Sequence, residues 1–221
     1  QVPSGGNLRS FPITRHELDL NNNGVVAFEG SQSVSDDPGK VSIFRDTGDN
    51  IETIVSQGSP VPPSVGDSNA TFQNINNARL NDSGDVFFQG GDVQFQEGDG
   101  EFDNLPESSM PSQFNGIFKT DDDTIEPVVT DDTPVPELPG SIAKFSTDFP
   151  SFSEFDVNDQ GQVAFRADVV IDDSVSGSPG FEEGVYLAED GDLAQRVVSG
   201  DNAGQTGAFV SVGDPSLNNN G

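Results

Sequence analysis

Residues Leu20–Phe28 read LNNNGVVAF, and this stretch decides the fold because the chain repeats it. It returns as LNDSGDVFF at Leu80–Phe88 and as VNDQGQVAF at Val157–Phe165, and its first half returns as LNNNG at Leu217–Gly221. Each complete copy is an Asn/Gly turn that leads into a short strand of apolar and β-branched residues. A sequence that consists of copies of one small unit predicts a repeat architecture.

A second phrase follows each complete copy of the first. It reads SIFRDTGDNIETIV at Ser42–Val55, GIFKTDDDTIEPVV at Gly116–Val129 and GVYLAEDGDLAQRVV at Gly184–Val198. Two apolar strands around an Asp/Gly-rich turn predict a β-hairpin. The connection between the two phrases differs in length from copy to copy. Each unit is therefore predicted to be two strand pairs of fixed length joined by a variable loop.

These patterns predict an all-β chain of tandem four-stranded antiparallel repeats, similar to the blades of a β-propeller or to an open array of β units. The repeat glycines lie 60, 77 and 60 residues apart, at Gly24, Gly84, Gly161 and Gly221. We predict one repeat array over residues 1–221, with units at 9–68, 69–145 and 146–205 and a partial fourth unit at 206–221. Because closed propellers usually have four to eight blades, three and a fraction units imply further blades, several chains in one ring, or an open stack.

The composition limits the classes of partner. The chain has 9 basic and 38 acidic residues, a net charge of −29. Such a surface does not fit nucleic acid or an anionic membrane, because both attract Lys and Arg. The sequence contains no cysteine, so disulfides and thiolate sites are excluded. No apolar run approaches the length of a membrane span, so no membrane insertion is expected in this segment.

The phrase N-x-x-G-x-x-A-F, present at Asn21–Phe28 and Asn158–Phe165, resembles the NxxGxxAF tandem-repeat family of bacterial surface proteins, which carry one of several anchors. The copy at Asn81–Phe88 differs only by Phe87 in place of Ala. The resemblance covers nearly the whole chain and implies an exported, propeller-like protein located outside the cell or at its surface. It implies no activity, because the family is defined by its repeat. No anchor is visible and the phrase stops at Gly221, so we expect a longer polypeptide.

Calcium is the candidate ion. The first copy reads D-x-N-x-N-G, the opening half of an EF-hand-type loop whose oxygens bind Ca²⁺, and the third copy repeats the pattern more weakly. The candidate metal ligands are Asp19, Asn21, Asn23, Asp156 and Asn158.

The calcium pattern is incomplete in both copies. Gly30 and Ala167 occupy the twelfth position, where a bidentate Glu belongs. The alternative interpretation is that Asn and Gly supply the left-handed backbone conformations of a tight turn. No cofactor is required under either interpretation, and calcium remains the one candidate.

Enzymatic catalysis is not expected. His16 is the only histidine, so a set of imidazole metal ligands cannot be assembled, and no G-x-S-x-G motif accompanies it. The chain has no Trp and one Tyr, which disfavours a sugar-stacking cleft. No catalytic and no cofactor-binding residue is predicted.

Two functions remain. The first is a non-enzymatic exported structural or surface protein that assembles with copies of itself into an extracellular filament or layer, since near-identical units present near-identical edges at both ends. The second is a propeller-type binding module whose variable loops hold a protein or glycan ligand, with calcium as a candidate requirement.

Overall fold

A computed structural model of the chain describes residues 7–10, 18–33, 39–65, 69–91, 114–121, 124–135, 143–145, 152–171, 180–202 and 207–219. Every regular element in these ranges is a β-strand, fourteen in all. The same ranges contain no helix that is long and apolar enough to cross a membrane. His16 and most of the long connection after Gly91 lie outside the described residues.

The first sheet contains five strands: β1 (Asn7–Ser10), β2 (Leu18–Leu20), β3 (Val26–Ser33), β4 (Lys40–Asp46) and β5 (Ile51–Ser56). Strands β3, β4 and β5 form an antiparallel meander. β2 and β1 pair with opposite ends of β3, so together they act as one interrupted strand.

The second sheet is a meander of four strands: β6 (Asn74–Leu80), β7 (Val86–Gly91), β8 (Asn115–Asp121) and β9 (Thr124–Thr130). In this sheet one continuous strand, β6, takes the place of the two short strands β1 and β2 of the first sheet. Its register with β7 runs from Asn74 opposite Gly91 to Leu80 opposite Val86.

The third sheet repeats the plan of the first. Its strands are β10 (Ala143–Phe145), β11 (Phe152–Val157), β12 (Val163–Ile171), β13 (Gly180–Glu189) and β14 (Asp192–Val198). β11 and β10 pair with opposite ends of the long strand β12. β10 lies in the range 69–145 assigned to the second unit, yet it pairs within the third sheet.

The prediction of an all-β chain with tandem, four-stranded, blade-like antiparallel units is confirmed. The turn phrase closes the β2–β3, β6–β7 and β11–β12 hairpins, and the second phrase closes β4–β5, β8–β9 and β13–β14. The variable connection joins two strands that also pair with each other. The two hairpins of each unit are thus paired with each other along the strands that the variable connection joins. Each unit is therefore one continuous antiparallel meander.

The sheets pack face to face, and alternate residues of each strand enter different cores. In β7, Phe88 packs with Ala27, Ile43 and Val55 of the first sheet. Its neighbour Phe87 enters the core formed with the third sheet. Two hydrophobic cores thus lie between consecutive sheets, which fixes the order of the array, and a third cluster around Phe28 and Phe44 lies on the first sheet.

One aromatic pair recurs across the two central strands of every sheet. The paired rings are Phe28 and Phe44, Phe88 and Phe118, and Phe165 and Tyr186, with ring centroids 5.2, 5.6 and 5.7 Å apart. All of these side chains are buried. This aromatic position of the repeat therefore lies in the core of every sheet.

Candidate functional site

The candidate site is the row of Asn-x-x-Gly turns, because the predicted metal ligands lie there. We number each turn from its asparagine, so the first turn is 21–24, the second 81–84, the third 158–161, and 218–219 begins the fourth. The position-four glycines have positive φ, +80° in Gly24, +94° in Gly84 and +80° in Gly161. No Asn in these three described turns has a positive φ. Glycine alone therefore supplies the left-handed backbone conformation of the turns.

The position-one asparagine closes each turn with its side chain. In the first turn, Asn21 Oδ1 accepts from the backbone N–H groups of Asn23 and Val25, at 3.0 and 2.9 Å. In the third turn, Asn158 Oδ1 accepts from Gln160 and Gln162, at 3.1 and 3.0 Å. These are Asx-type turns, in which a short amide replaces backbone partners.

The turns stack on one another through one repeated hydrogen bond. The position-two N–H donates to the position-two side-chain oxygen of the next turn: Asn22 to Asp82 at 2.8 Å, Asp82 to Asp159 at 3.0 Å, and Asp159 to Asn219 at 3.1 Å. We call this series the turn ladder. The side chain and backbone N–H of Asn22 also hold the pKa of Asp82 below its ordinary value. One bond geometry therefore links four units.

The first and last steps of the turn ladder carry additional bonds. Asn21 Nδ2 donates to Asn81 O at 3.0 Å, and Asn158 Nδ2 donates to Asn218 O at 3.2 Å. Position three adds Asn23 Nδ2 to Asp82 O, and Gln160 Nε2 to Asn219 O. Both steps join turns that lie 60 residues apart in the sequence.

The middle step of the turn ladder, between the second and third turns, has fewer hydrogen bonds than the other two steps and is called the open step. Asn81 Nδ2 donates to Asp85 Oδ2 within its own turn region, at 2.9 Å, rather than to the third turn. Position three is Ser83, whose side chain is shorter than that of Asn23 or Gln160. Among the described residues, the bond from Asp82 to Asp159 is the one turn-to-turn hydrogen bond at this step.

The two candidate calcium aspartates accept hydrogen bonds across unit boundaries. Asp19 Oδ2 accepts from Leu80 N–H at 2.8 Å, and Asp156 Oδ2 accepts from Leu217 N–H at 2.8 Å. Their Oδ1 atoms accept from the following backbone N–H, in each case at 3.0 Å. Each carboxylate thus joins its own turn to the next unit.

The structure places the five candidate ligands in two separate groups. Asp19, Asn21 and Asn23 lie at the first turn, whereas Asp156 and Asn158 lie at the third. In the part of the chain that the structure describes, no group of three or more His, Cys, Asp or Glu side chains could hold a metal ion. Calcium at these turns stays a prediction.

The second copy replaces the aspartate with arginine. Arg79 Nη2 lies 3.2 Å from Glu154 Oε2, and the guanidinium lies 5.7 Å from the Phe155 ring centroid. Glu154 and Phe155 belong to β11 of the third sheet. This position thus makes an inter-unit contact in all three units, by an ion pair in one and by carboxylate–amide bonds in the others.

A cavity of about 420 Å³ lies beside the open middle step, between the second and third sheets. Its lining includes the acids Asp85, Glu126, Asp159, Glu189 and Asp190. Lys119 is the one basic residue of the lining, and its Nζ lies 3.7 Å from Glu126 Oε2. The sequence does not indicate this cavity, because its walls come from two units and its opening depends on how their turns stack.

A buried carboxylate lies at the end of the second sheet. Asp131 is 6% exposed and accepts from Asn115 N–H at 3.2 Å, while its own N–H donates to Asn115 O at 3.0 Å. Burial raises the pKa of Asp131 to about 6, and the charge of Asp132 adds to the rise. This carboxyl therefore titrates near neutral pH.

We predict that Asp131→Asn removes a pH dependence of stability. The folded state holds this proton up to about pH 6, whereas the ordinary value is 3.8, so the free energy of unfolding falls as pH rises between the two. The difference between these two pKa values limits the decrease in the free energy of unfolding to about 3 kcal/mol. We expect a decrease of about 1–2 kcal/mol, because the acidic unfolded chain also retains protons.

Urea unfolding at about pH 5 and about pH 7.5 measures this effect. Wild type should lose stability relative to Asp131→Asn between the two values. The exposed Asp49→Asn is the charge-matched control and should follow wild type. Parallel pH profiles for all three proteins would contradict the prediction.

Comparison with protein-family models finds a match over nearly the whole chain. A family model described as "Family of unknown function (DUF7453)" matches residues 2–221. No curated protein matches the chain.

Proposed function

The chain belongs to the family of unknown function DUF7453, and we propose that it is a non-enzymatic structural repeat protein that assembles with copies of itself outside the cell or at its surface. The observation that carries this proposal is the turn ladder, in which one hydrogen bond joins position two of each turn to the next. A contact that repeats from unit to unit can be continued by a further unit, and it forms an open array where the rotation between units does not close a ring.

The hydrogen bonds made by the buried asparagine side chains support a structural role. Asn21, Asn81 and Asn158 are each at least nine-tenths buried, and their side chains are engaged in turn closure or in contacts with the next unit. Buried polar groups that are fully hydrogen-bonded specify one packing arrangement. The side chains of Asn21 and Asn158 also reach the next unit, so two of these three asparagines hold neighbouring units together.

The charge supports an assembly of separate, well-solvated polymers. A net charge of −29 opposes lateral association between polymers, and its effect decreases with salt. In the turn ladder the donors are backbone N–H groups and amides, and two of the three acceptors, Asp82 and Asp159, are carboxylates that these donors stabilise.

Electron microscopy of the protein isolated from its native source tests the proposal. We expect filaments or sheets with a repeat along one axis, in preparations with calcium and in preparations treated with a chelator. Assemblies present only with calcium would assign the turns a metal requirement. A strictly monomeric particle at physiological salt and millimolar calcium would contradict the structural proposal.

The cavity between the second and third sheets favours a second candidate, a binding module. Its volume of about 420 Å³ lies within the range of small-ligand sites, and its acidic lining fits a cationic group of a peptide or glycan ligand. Under this alternative, the micrographs would show discrete particles, and substitutions at Asp85 or Glu189 would alter ligand binding.

A further inference from the structure

An arginine side chain spans the contact between the first and second sheets, which we call the first interface. Arg45 of β4 pairs through its Nε with Glu52 Oε1 on the neighbouring strand β5, and its Nη1 donates to Gly84 O at 2.6 Å. Gly84 is position four of the second turn. One guanidinium therefore joins a carboxylate of its own unit to a turn carbonyl of the next unit, a task that suits its fixed, planar set of donors.

The second sheet carries a lysine at the position of this arginine. Arg45 lies opposite Glu52 across β4 and β5. In the same way, Lys119 lies opposite Glu126 across β8 and β9, and in both hairpins the pair directly follows a register shift. The two pairs are thus equivalent. Lys119 Nζ lies 3.7 Å from Glu126 Oε2, so the lysine makes a looser pair with its acid.

The cavity beside the open step lies where the second interface, between the second and third sheets, has the counterpart of this guanidinium site. Lys119, Glu126 and Gly161 all line it. Gly161 is position four of the third turn, as Gly84 is of the second. In the described part of the chain, no hydrogen bond joins Lys119 to Gly161. The second interface therefore keeps the carboxylate and the turn glycine of the first, with a space of about 420 Å³ between them.

The lining of the cavity favours a cation with an alkyl stem. Five acidic residues and one basic residue line it, and walls from two sheets concentrate the field of these charges. Phe87, Val128 and Ala188 also line the cavity and supply apolar surface. Such a combination fits a long side chain that ends in a positive charge.

We propose that this cavity binds the guanidinium group of an arginine, with Glu126 and Gly161 O as its acceptors. This inference names the ligand group of the second candidate function, the binding module, and it rests on that candidate rather than on self-assembly. Lysine is a poorer ligand, because an ammonium is a compact, strongly hydrated charge and lacks the planar fork that reaches two acceptors at once.

NMR titration of the isotope-labelled protein with Nα-acetyl-arginine amide tests the site. We expect a dissociation constant of roughly millimolar order, since one side chain makes few contacts. The largest changes in chemical shift should occur at the backbone amides of Glu126 and Gly161. Nα-acetyl-lysine amide should bind at least about tenfold more weakly.

Two variants assign the binding to the cavity. Glu126→Gln removes the carboxylate and should weaken binding of the arginine probe at least about tenfold. Lys119→Arg supplies a guanidinium from the chain itself, as Arg45 does in the first interface, and should abolish binding. Asp49→Asn is the control, because it removes one exposed charge at the β4–β5 turn of the first sheet and should bind the probe like wild type.

Two further probes identify the source of the guanidinium. Free L-arginine carries an α-carboxylate that the acidic lining repels, whereas the capped tripeptide acetyl-Gly-Arg-Gly-amide presents the side chain from a neutral backbone. Tighter binding of the tripeptide assigns the site to an arginine of a polypeptide. Tighter binding of free arginine assigns it to a small guanidinium compound.

The outcomes separate this site from the proposed assembly. Unchanged amide shifts at the cavity, equal binding of the arginine and lysine probes, or undiminished binding in Lys119→Arg would each overturn the guanidinium site. None of these results bears on filaments or sheets, which the micrographs test separately. Discrete particles that bind the arginine probe would overturn the assembly and retain the site.

Discussion

Phe118→Ala is expected to lower the free energy of unfolding by about 3–5 kcal/mol, the range for truncating a large buried aromatic. Phe118 is fully buried on β8. Its ring stacks on Phe88 at a centroid distance of 5.6 Å and meets the edges of Phe72 and Phe114, at 4.9 and 6.2 Å. Three aromatic partners cannot collapse into the vacated space without leaving their rotamers, so the cavity remains.

Urea unfolding followed by two independent probes measures this loss, since repeat arrays do not always unfold in one step. Phe209→Ala is the matched control: its side chain is 40% exposed, and we expect a loss below about 1 kcal/mol. A similar loss for the two variants would mean that the cluster around Phe118 is not the centre of the core.

The strands and their order within each unit could be predicted from the sequence, because both signals are local. The turn phrase supplies an Asn that closes the turn with its side chain and a Gly that takes positive φ, and a short apolar run follows. The buried rings could be predicted for the same reason, since a fixed offset from the turn places Phe28, Phe88 and Phe165 in equivalent positions.

The contacts of the turn ladder could not be predicted, because they join residues about 60 or more positions apart. Asp19 shows the difficulty. A carboxylate beside an Asn/Gly turn fits a calcium loop and an acceptor for backbone N–H groups equally well, since both need a hard oxygen. The neighbouring unit supplies the N–H of Leu80, and nothing near Asp19 in the sequence indicates that donor.

The acidic cavity was unpredictable for a related reason. It lies where Asn81 bonds to Asp85 rather than to the next turn and where Ser83 is too short to reach across. When the copies are aligned, Ser83 is a small polar residue in place of Asn23 or Gln160, and Asp85 stands where the other copies have Val25 and Gln162. Their combined effect appears only when the second and third turns are placed against each other.

Asn158→Ala should have the second largest effect, a loss of about 2–4 kcal/mol, because it removes several hydrogen bonds from a site that is 2% exposed. Its Oδ1 accepts from the N–H groups of Gln160 and Gln162, and its Nδ2 donates to Asn218 O at 3.2 Å. Alanine removes the acceptor of these two N–H groups at a part-buried turn, so the cost exceeds that of an exposed amide.

Hydrogen exchange measures both the size of this loss of stability and the part of the structure in which it occurs. In Asn158→Ala, the amides of Gln160 and Gln162 should exchange faster than those of β4 and β5, because their acceptor is gone while the first sheet is untouched. Asn22→Ala is the matched control, since Asn22 is exposed and, among the described residues, its side chain makes one hydrogen bond, from Nδ2 to Asp82 Oδ2 at 2.8 Å. We expect this variant to lose less than about 1 kcal/mol of the free energy of unfolding. Equal losses in the two variants, or uniform exchange across all sheets, would show that the position-one asparagine is not what holds the third turn and its neighbour together.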